Sequence, residues 1–285
     1  MQAHNLPDNA FEICVIKTTG DDRTLIDADI ALKTIGNKGL FTKEIEEAMI
    51  TGDIDIAVHS TKDMPVEQPD GLVLDVFLPR EDVRDAFVSL KYASIAELPR
   101  GATVGTSSLR RRAQLMAKRP DLNMVEFRGN VQTRLKKLQD GVADATFLAM
   151  AGLNRMDMTN VPAYAIAPED MLPAIAQGTI GIEYRVDDTR AKCLLRAIND
   201  PETGQRLAAE RALLKALDGS CETPIGGLAM IEGDQIWLRG EILSPDGRLV
   251  FNGERRGPVT QGAELGRDLA ADLLAQAGPN FLARA

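Results

Sequence analysis

Short apolar, β-branched runs alternate with helical patterns through the first two thirds of the chain. The runs at 11–16, 54–58, 72–77, 103–105, 124–127, 146–149 and 180–184 predict strands. Between them, 43–50, 109–118, 131–140 and 189–198 carry the three-to-four-residue apolar spacing of helices. Strands and helices in this rhythm predict an α/β fold with largely parallel sheets covered on both faces. Near Asp200 the pattern changes. Asp200-Pro201 reads as the N-cap and first position of a further helix, with Leu207, Leu213, Leu214 and Leu217 as its buried stripe and Gly219 at its end. Strands over 229–231, 235–243 and 248–255 follow, the last two joined by Ser244-Pro245-Asp246-Gly247, and a helix over 263–275 covers them. This is a separate small α+β domain. No internal repeat or low-complexity segment is visible.

Composition narrows the function classes. With 44% hydrophobic and 26% charged residues, the chain can bury ordinary cores. Its central apolar run at 145–153 is too short to cross a bilayer, which excludes channels and transporters. Three cysteines make no disulfide framework, and the start has neither a basic nor an apolar signal region, so the expected compartment is the cytoplasm. The net charge of -9 and an aromatic content of 4% argue against a general nucleic-acid binder. That charge is unevenly placed: residues 100–137 hold ten basic side chains and two acidic ones. Such a stretch is either a solvated basic face or a focused cleft for a small polyanion.

Two strand-to-helix junctions favour the cleft. Gly105-Thr106-Ser107-Ser108 opens a helix whose first turn carries Arg110 and Arg111, so backbone N–H groups, hydroxyls and guanidiniums converge at the carboxyl end of a strand. Adjacent helical residues point about 100° apart, so one of the two arginines can instead be solvated. Phe127-Arg128-Gly129-Asn130 repeats the arrangement, with Arg134 one turn on. A third junction, from Val58 to Pro65, places His59, Ser60, Thr61, Lys62 and Asp63 together at a strand end, where open α/β sheets bind ligands. A lone aspartate in a loop is usually a turn former or cap, and a histidine without a partner carboxylate is more often a packed side chain than a ligand, so by themselves Asp63 and His59 are weak signals. No metal-ligand spacing is present. Cys14 and Cys193 fall in strand and helix patterns, where a thiol is normally inert filling, whereas Cys221 sits in a glycine-bounded loop that can present a thiolate.

In order and approximate spacing, the segments DIDIAVHSTKDMP, REDVRDAFVS, GTSSLRRRAQL, FRGNVQTRL, LAMAGLNRM, AQGTIGIE and SCETPIGG resemble the porphobilinogen deaminase, or hydroxymethylbilane synthase, family. The resemblance implies an enzyme of tetrapyrrole biosynthesis that joins four porphobilinogen molecules head to tail with loss of ammonia. It uses no metal, and its primer is a covalent dipyrromethane joined by a thioether to the cysteine matching Cys221. Asp63 matches the catalytic carboxylate. Arg110, Arg111, Arg128, Arg134, Arg155, Lys62, Ser60, Thr106, Ser108 and Gln177 match contacts to the acid arms of cofactor and substrate, while His59 and Arg80 lie in matching motifs without an assigned role. The implied architecture is two doubly wound domains resembling periplasmic binding proteins, at 1–78 with 179–196 and at 84–172, plus a third domain at 201–285 bearing the cysteine loop. The expected partner is the small-molecule substrate, with a monomeric chain and neither nucleic acid nor membrane.

The chain departs from the family at its start. Members begin with a strand, a loop carrying Thr-Arg, and a helix containing Leu-Ala-Leu-Trp-Gln-Ala; here the only tryptophan is Trp237. The reading is a start codon assigned too late, ahead of a truncated or inactive form. Thr34 stands where a lysine is often found. A noncatalytic anion-binding protein is the rival class; it would need an export signal or a DNA-binding helix-turn-helix, and neither is seen.

Overall fold

The computed structural model describes residues 6–7, 9–18, 42–219, 223–278 and 281–282. Within them the chain runs α1 (Lys43–Thr51), β1 (Ile56–Ser60), β2 (Leu72–Phe77), β3 (Asp85–Val88), β4 (Thr103–Gly105), α2 (Leu109–Lys118), β5 (Asn123–Val125), α3 (Val131–Gln139), β6 (Ala145–Ala149), α4 (Met150–Arg155) and β7 (Ala163–Ala165). It continues through β8 (Ile180–Arg185), α5 (Thr189–Leu195), α6 (Pro201–Ala216), β9 (Ile225–Glu232), β10 (Gln235–Leu243), β11 (Val250–Pro258) and α7 (Gly262–Ala277). This is an α/β fold with a small α+β unit at its C-terminal end.

Three sheets result, in the orders β1-β8-β2, β5-β4-β6-β3-β7 and β11-β10-β9. The expectation of largely parallel sheets is corrected here. Among the described strands only β4 with β5 and β4 with β6 pair in parallel; β8 runs antiparallel to both β1 and β2, and β3 antiparallel to β6 and β7. The reason lies in the two crossings. A parallel neighbour needs a crossover within its own sheet, whereas β3 carries the chain out of the first sheet and β8 brings it back, so each enters its sheet against the local direction.

Apolar clusters lie on both faces of the second sheet. Phe87, Val104 and Phe147 pack with Leu115 of α2 on one side, and Ala86, Val88 and Leu148 pack with Leu138 of α3 and Leu153 of α4 on the other. The third sheet instead buries a single face, with Ile236, Leu238 and Ile242 against Leu207 and Leu213 of α6 and Leu269 and Leu273 of α7. Each such side chain contributes about 1.5–3 kcal/mol of burial. Asp200 caps α6 as expected, its carboxylate accepting from Thr203 N at 3.1 Å, with Pro201 in the first turn.

Several expectations fail for physical reasons. Residues 11–18 form no strand: no described strand lies beside them, and Phe11, Ile13 and Val15 stand 47%, 89% and 84% exposed. Cys14 and Cys193 are exposed rather than core filling, because 11–18 pack into no sheet and Cys193 lies on the outer face of α5. β3 shows no alternation because all four of its residues are buried, and α4 and β7 are too short for a periodic signal.

One buried carboxylate ties the crossings to the third sheet. Glu210 of α6 is fully buried and accepts from Arg80 Nη1 at 2.6 Å and Nη2 at 3.1 Å, and from the backbone N–H groups of Ala176 and Ala229 at 2.8 Å each. Arg80 lies on the outbound crossing, and its Nε donates to Gln177 O on the return crossing at 3.0 Å. Glu210→Ala therefore strands a buried guanidinium and two N–H groups, and is expected to lower unfolding free energy by about 3–5 kcal/mol in urea titration. A loss below about 1 kcal/mol, the level of a surface pair, would show that the knot does not hold the units together.

Candidate active site

The first sheet presents its site residues at the end of β1. His59 points into the core and Ser60 outward, as period-two alternation requires. The chain then tightens into a single 3-10 turn over Thr61–Asp63, anchored by Thr61 N donating to Thr179 O at 3.0 Å. Lys62 is half-buried and its Nζ donates to Gln177 Oε1 at 3.3 Å. Burial lowers the Lys62 pKa; Asp63 opposes that shift and Arg111 adds to it. The Asp63 carboxylate is exposed, and its charge also raises the pKa of Arg111 and Arg134. Asp63, Lys62, Arg111 and Arg134 thus share one electrostatic neighbourhood, although they come from two sheets.

In the second sheet, the β4–α2 junction is built largely by its own hydroxyls. Thr106 Oγ1 accepts from Ser108 N at 3.2 Å, Ser107 Oγ from Phe127 N at 3.0 Å, and Ser108 Oγ caps α2 by accepting from Arg111 N at 3.4 Å. A side chain at Gly105 would meet Phe127 at 2.3 Å, so glycine lets the two junctions pack together. Neither arginine of the pair is solvated. Arg110 Nη1 donates to Asp85 Oδ2 at 2.7 Å and Leu172 O at 2.8 Å; Arg111 donates to Asp85 Oδ1 from Nε at 2.9 Å and Nη2 at 2.6 Å, and to Phe147 O from Nη1 at 3.0 Å. Burial alone would raise the Asp85 pKa, but the two guanidiniums override it and hold the carboxyl far below its usual range. Burial lowers the Arg111 pKa, with Asp85 opposing.

The β5–α3 junction supplies two more cations. Asn130 Oδ1 caps α3 through Thr133 N at 2.9 Å, Arg128 is buried, and Arg134 Nε donates to Gly129 O at 2.8 Å. Burial lowers the Arg134 pKa to about 10, Arg111 and Arg128 push it the same way, and Asp63 opposes them. Gln177, 1% exposed, donates from Nε2 to Val83 O at 2.8 Å and Asp85 Oδ1 at 3.1 Å. Arg155 is exposed at the end of α4, with Nη2 on Gly178 O at 2.9 Å, and Ser60 is exposed at the end of β1. Cys221 lies outside the described residues, between Gly219 and Thr223.

Sequence reading missed three carboxylates in and around this region. Asp85 was visible only as part of a matching segment, and Glu210 carried no local signal. His59 has the partner that the sequence did not reveal: its Nε2 lies 3.1 Å from Oε2 of fully buried Glu183. That makes it a satisfied packing residue of the first sheet. Among the described residues no group of three or more histidine, cysteine, aspartate or glutamate side chains could hold a metal, and no helix is long and apolar enough to cross a membrane.

Chemically, the site gathers Lys62, Arg110, Arg111, Arg128 and Arg134 around two carboxylates, Asp63 and Asp85. Burial lowers the pKa of Lys62, Arg111 and Arg134, and a carboxylate beside any of them favours its charged form. Guanidiniums match carboxylates in bidentate geometry, so the chemistry of this group suits a ligand with several acid arms.

Comparison with known proteins points the same way. Residues 1–193 match the family model described as porphobilinogen deaminase, dipyromethane cofactor binding domain, and 205–275 match the porphobilinogen deaminase C-terminal domain. A porphobilinogen deaminase of Paracoccus denitrificans (strain Pd 1222) is 62% identical over 281 residues, covering 99% of this chain and 88% of the relative. Among solved structures, the periplasmic aliphatic sulphonate binding protein of Escherichia coli aligns at 16% identity over 61% of this chain and 57% of its own, with a TM-score of 0.37. A periplasmic solute binding protein from Pseudomonas putida F1 aligns at 13% over 61% and 66%, with a TM-score of 0.36. Overlaps that low carry no argument about the fold. The two family matches and the 62% identical relative lead to one conclusion, that this chain belongs to the porphobilinogen deaminase family.

Proposed function

We propose that the chain is a hydroxymethylbilane synthase. It condenses four porphobilinogen molecules head to tail with release of ammonia, on a dipyrromethane primer joined through a thioether to Cys221, and frees the linear tetrapyrrole by hydrolysis. The observation that supports this most is the placement of Asp63, an exposed carboxylate within the electrostatic reach of Lys62, Arg111 and Arg134.

The dipyrromethane, when bound, supplies the pyrrole carbon onto which the first substrate is joined. The chain's own residues do the rest. Asp63 stands as a fixed anion beside the substrate pyrrole, stabilising the positive charge that develops as ammonia leaves, and its carboxylate oxygen takes up the proton lost when the new bond forms. Arg110, Arg111, Arg128, Arg134, Arg155 and Lys62 neutralise acetate and propionate arms, with Ser60, Thr106, Ser108 and Gln177 as neutral contacts. Each addition brings two further carboxylates, which is why cations must exceed the site's own anions.

In this reading, 1–78 with 179–196 form the domain carrying the catalytic carboxylate, 84–172 the arginine-rich domain, and 201–285 the domain of the cysteine loop. The chain works as a cytoplasmic monomer. The test is porphobilinogen consumption combined with intact mass. The expected result is turnover by a protein heavier than its sequence by two linked pyrroles. A well-folded, unmodified protein that consumes none, purified from a tetrapyrrole-making host, would instead be a noncatalytic anion binder.

A further inference from the structure

We infer that Asp85 is a positioning residue for this reaction: it locks Arg110 and Arg111 and, through Gln177, Lys62 into one preformed face for the ligand's acid arms. The inference rests on the proposed function for its ligand and on the geometry for its mechanism. Asp85 is fully buried and takes donors from three side chains on its two oxygens: Arg110 Nη1 at 2.7 Å on Oδ2, and Arg111 Nε at 2.9 Å, Arg111 Nη2 at 2.6 Å and Gln177 Nε2 at 3.1 Å on Oδ1. Its backbone is held on both sides, opposite Ala149 in β6 and with its carbonyl accepting from Ile166 N at 2.8 Å. The carboxylate therefore cannot follow the arginines; they must come to it.

The network also spans the two crossings. Asp85 begins the outbound strand β3, Gln177 lies on the return segment just before β8, and Gln177 Oε1 accepts from Lys62 Nζ at 3.3 Å. An unbroken path from Lys62 through Gln177 to Asp85 and the arginine pair thus joins the loop bearing Asp63 to the helix α2 junction. Without it, two neighbouring guanidiniums in a buried setting would repel and separate.

Asp85→Asn decides the matter by the sign of its effect. Removing a negative charge, taken as Coulomb attraction alone, tightens anion binding. Loss of positioning weakens it, because the asparagine amide turns a donor toward groups that are themselves donors. The purified variant, its fold checked by thermal melting, is titrated calorimetrically with citrate as a compact tricarboxylate probe. Expected are a citrate Kd weakened about 10-fold and a kcat/KM for porphobilinogen lowered about 100-fold, the penalty of a site displaced by roughly 1 Å. In an Arg111→Met background the same substitution should add less than about 3-fold, since coupled sites are not additive. Unchanged or tighter citrate binding in the folded variant, or fully additive losses, would overturn the inference. Should Asp85→Asn fail to fold, Gln177→Met keeps the arginine–aspartate ion pairs and removes the bonds that Gln177 makes to Lys62 Nζ, Asp85 Oδ1 and Val83 O. It should then lower kcat/KM about 10-fold in a protein that still folds cooperatively at a melting temperature reduced by the lost buried bonds, and an unchanged kcat/KM would refute the path. A wild-type chain that binds citrate but does not consume porphobilinogen counts against the proposed function, while the citrate comparison still reads the role of Asp85.

Discussion

Cys221→Ala is expected to give a folded protein that carries no pyrrole and consumes no porphobilinogen. A thiolate is the soft nucleophile suited to capturing an electrophilic methylene-pyrrole, and a carbon–sulfur bond then holds the growing chain in place; alanine offers nothing to replace it. Exposure does not single out an attachment point, because Cys14 and Cys193 are both exposed. The assignment comes from the SCETPIGG segment, and this makes the two other cysteines the natural controls. Cys14→Ala and Cys193→Ala should keep both the added mass and the turnover. Intact mass spectrometry separates the cases directly, and an adduct that survives Cys221→Ala would move the attachment to another residue.

What could be read in advance follows the range of the forces involved. Helix α2 and strands β2, β4 and β10 were legible residue for residue, because their signals are local: a cap, a periodicity, a turn sequence. The two strand-to-helix junctions were legible for the same reason, since Arg110 and Arg111 follow the cap Ser108, and Arg134 the cap Asn130, within about one helical turn. The partners of those cations were not. Asp85 is 25 residues from Arg110, Glu183 is 124 from His59, and Glu210 is 130 from Arg80. Only tertiary packing brings such groups together, and no periodicity announces it. The same limit explains the strand directions: a βαβ rhythm describes β4, β5 and β6, but says nothing about β3 and β8, whose sense is set by the crossing between sheets. For 11–16 the local apolar alternation is real, yet among the described residues no strand lies beside it to receive its hydrogen bonds, and alternation alone builds no sheet.

Asp63→Asn should reduce kcat by about 10³, leaving KM within a few-fold and stability nearly unchanged. The magnitude follows from charge at short range: a carboxylate about 4 Å from a developing cation, at an effective dielectric near 20, is worth about 4 kcal/mol, and each 1.36 kcal/mol is tenfold in rate. Only charge that appears in the transition state is stabilised, so the loss falls on kcat. Stability is spared because Asp63 is exposed and, among the described residues, forms no ion pair. Its removal does take away the influence that raises the pKa of Lys62, Arg111 and Arg134, so each of those values falls further. Arg134, already lowered to about 10, still carries its charge at neutral pH, so the acid arms keep their partners and binding persists. Asp63→Glu keeps the charge but moves it by one methylene, and should fall between the two, about 10²-fold down. Steady-state kinetics on the three proteins, each checked for its pyrrole adduct by mass, distinguishes this from a binding role. If Asp63→Asn raised KM while kcat held, the carboxylate would be orienting substrate rather than stabilising the charge that forms when ammonia departs.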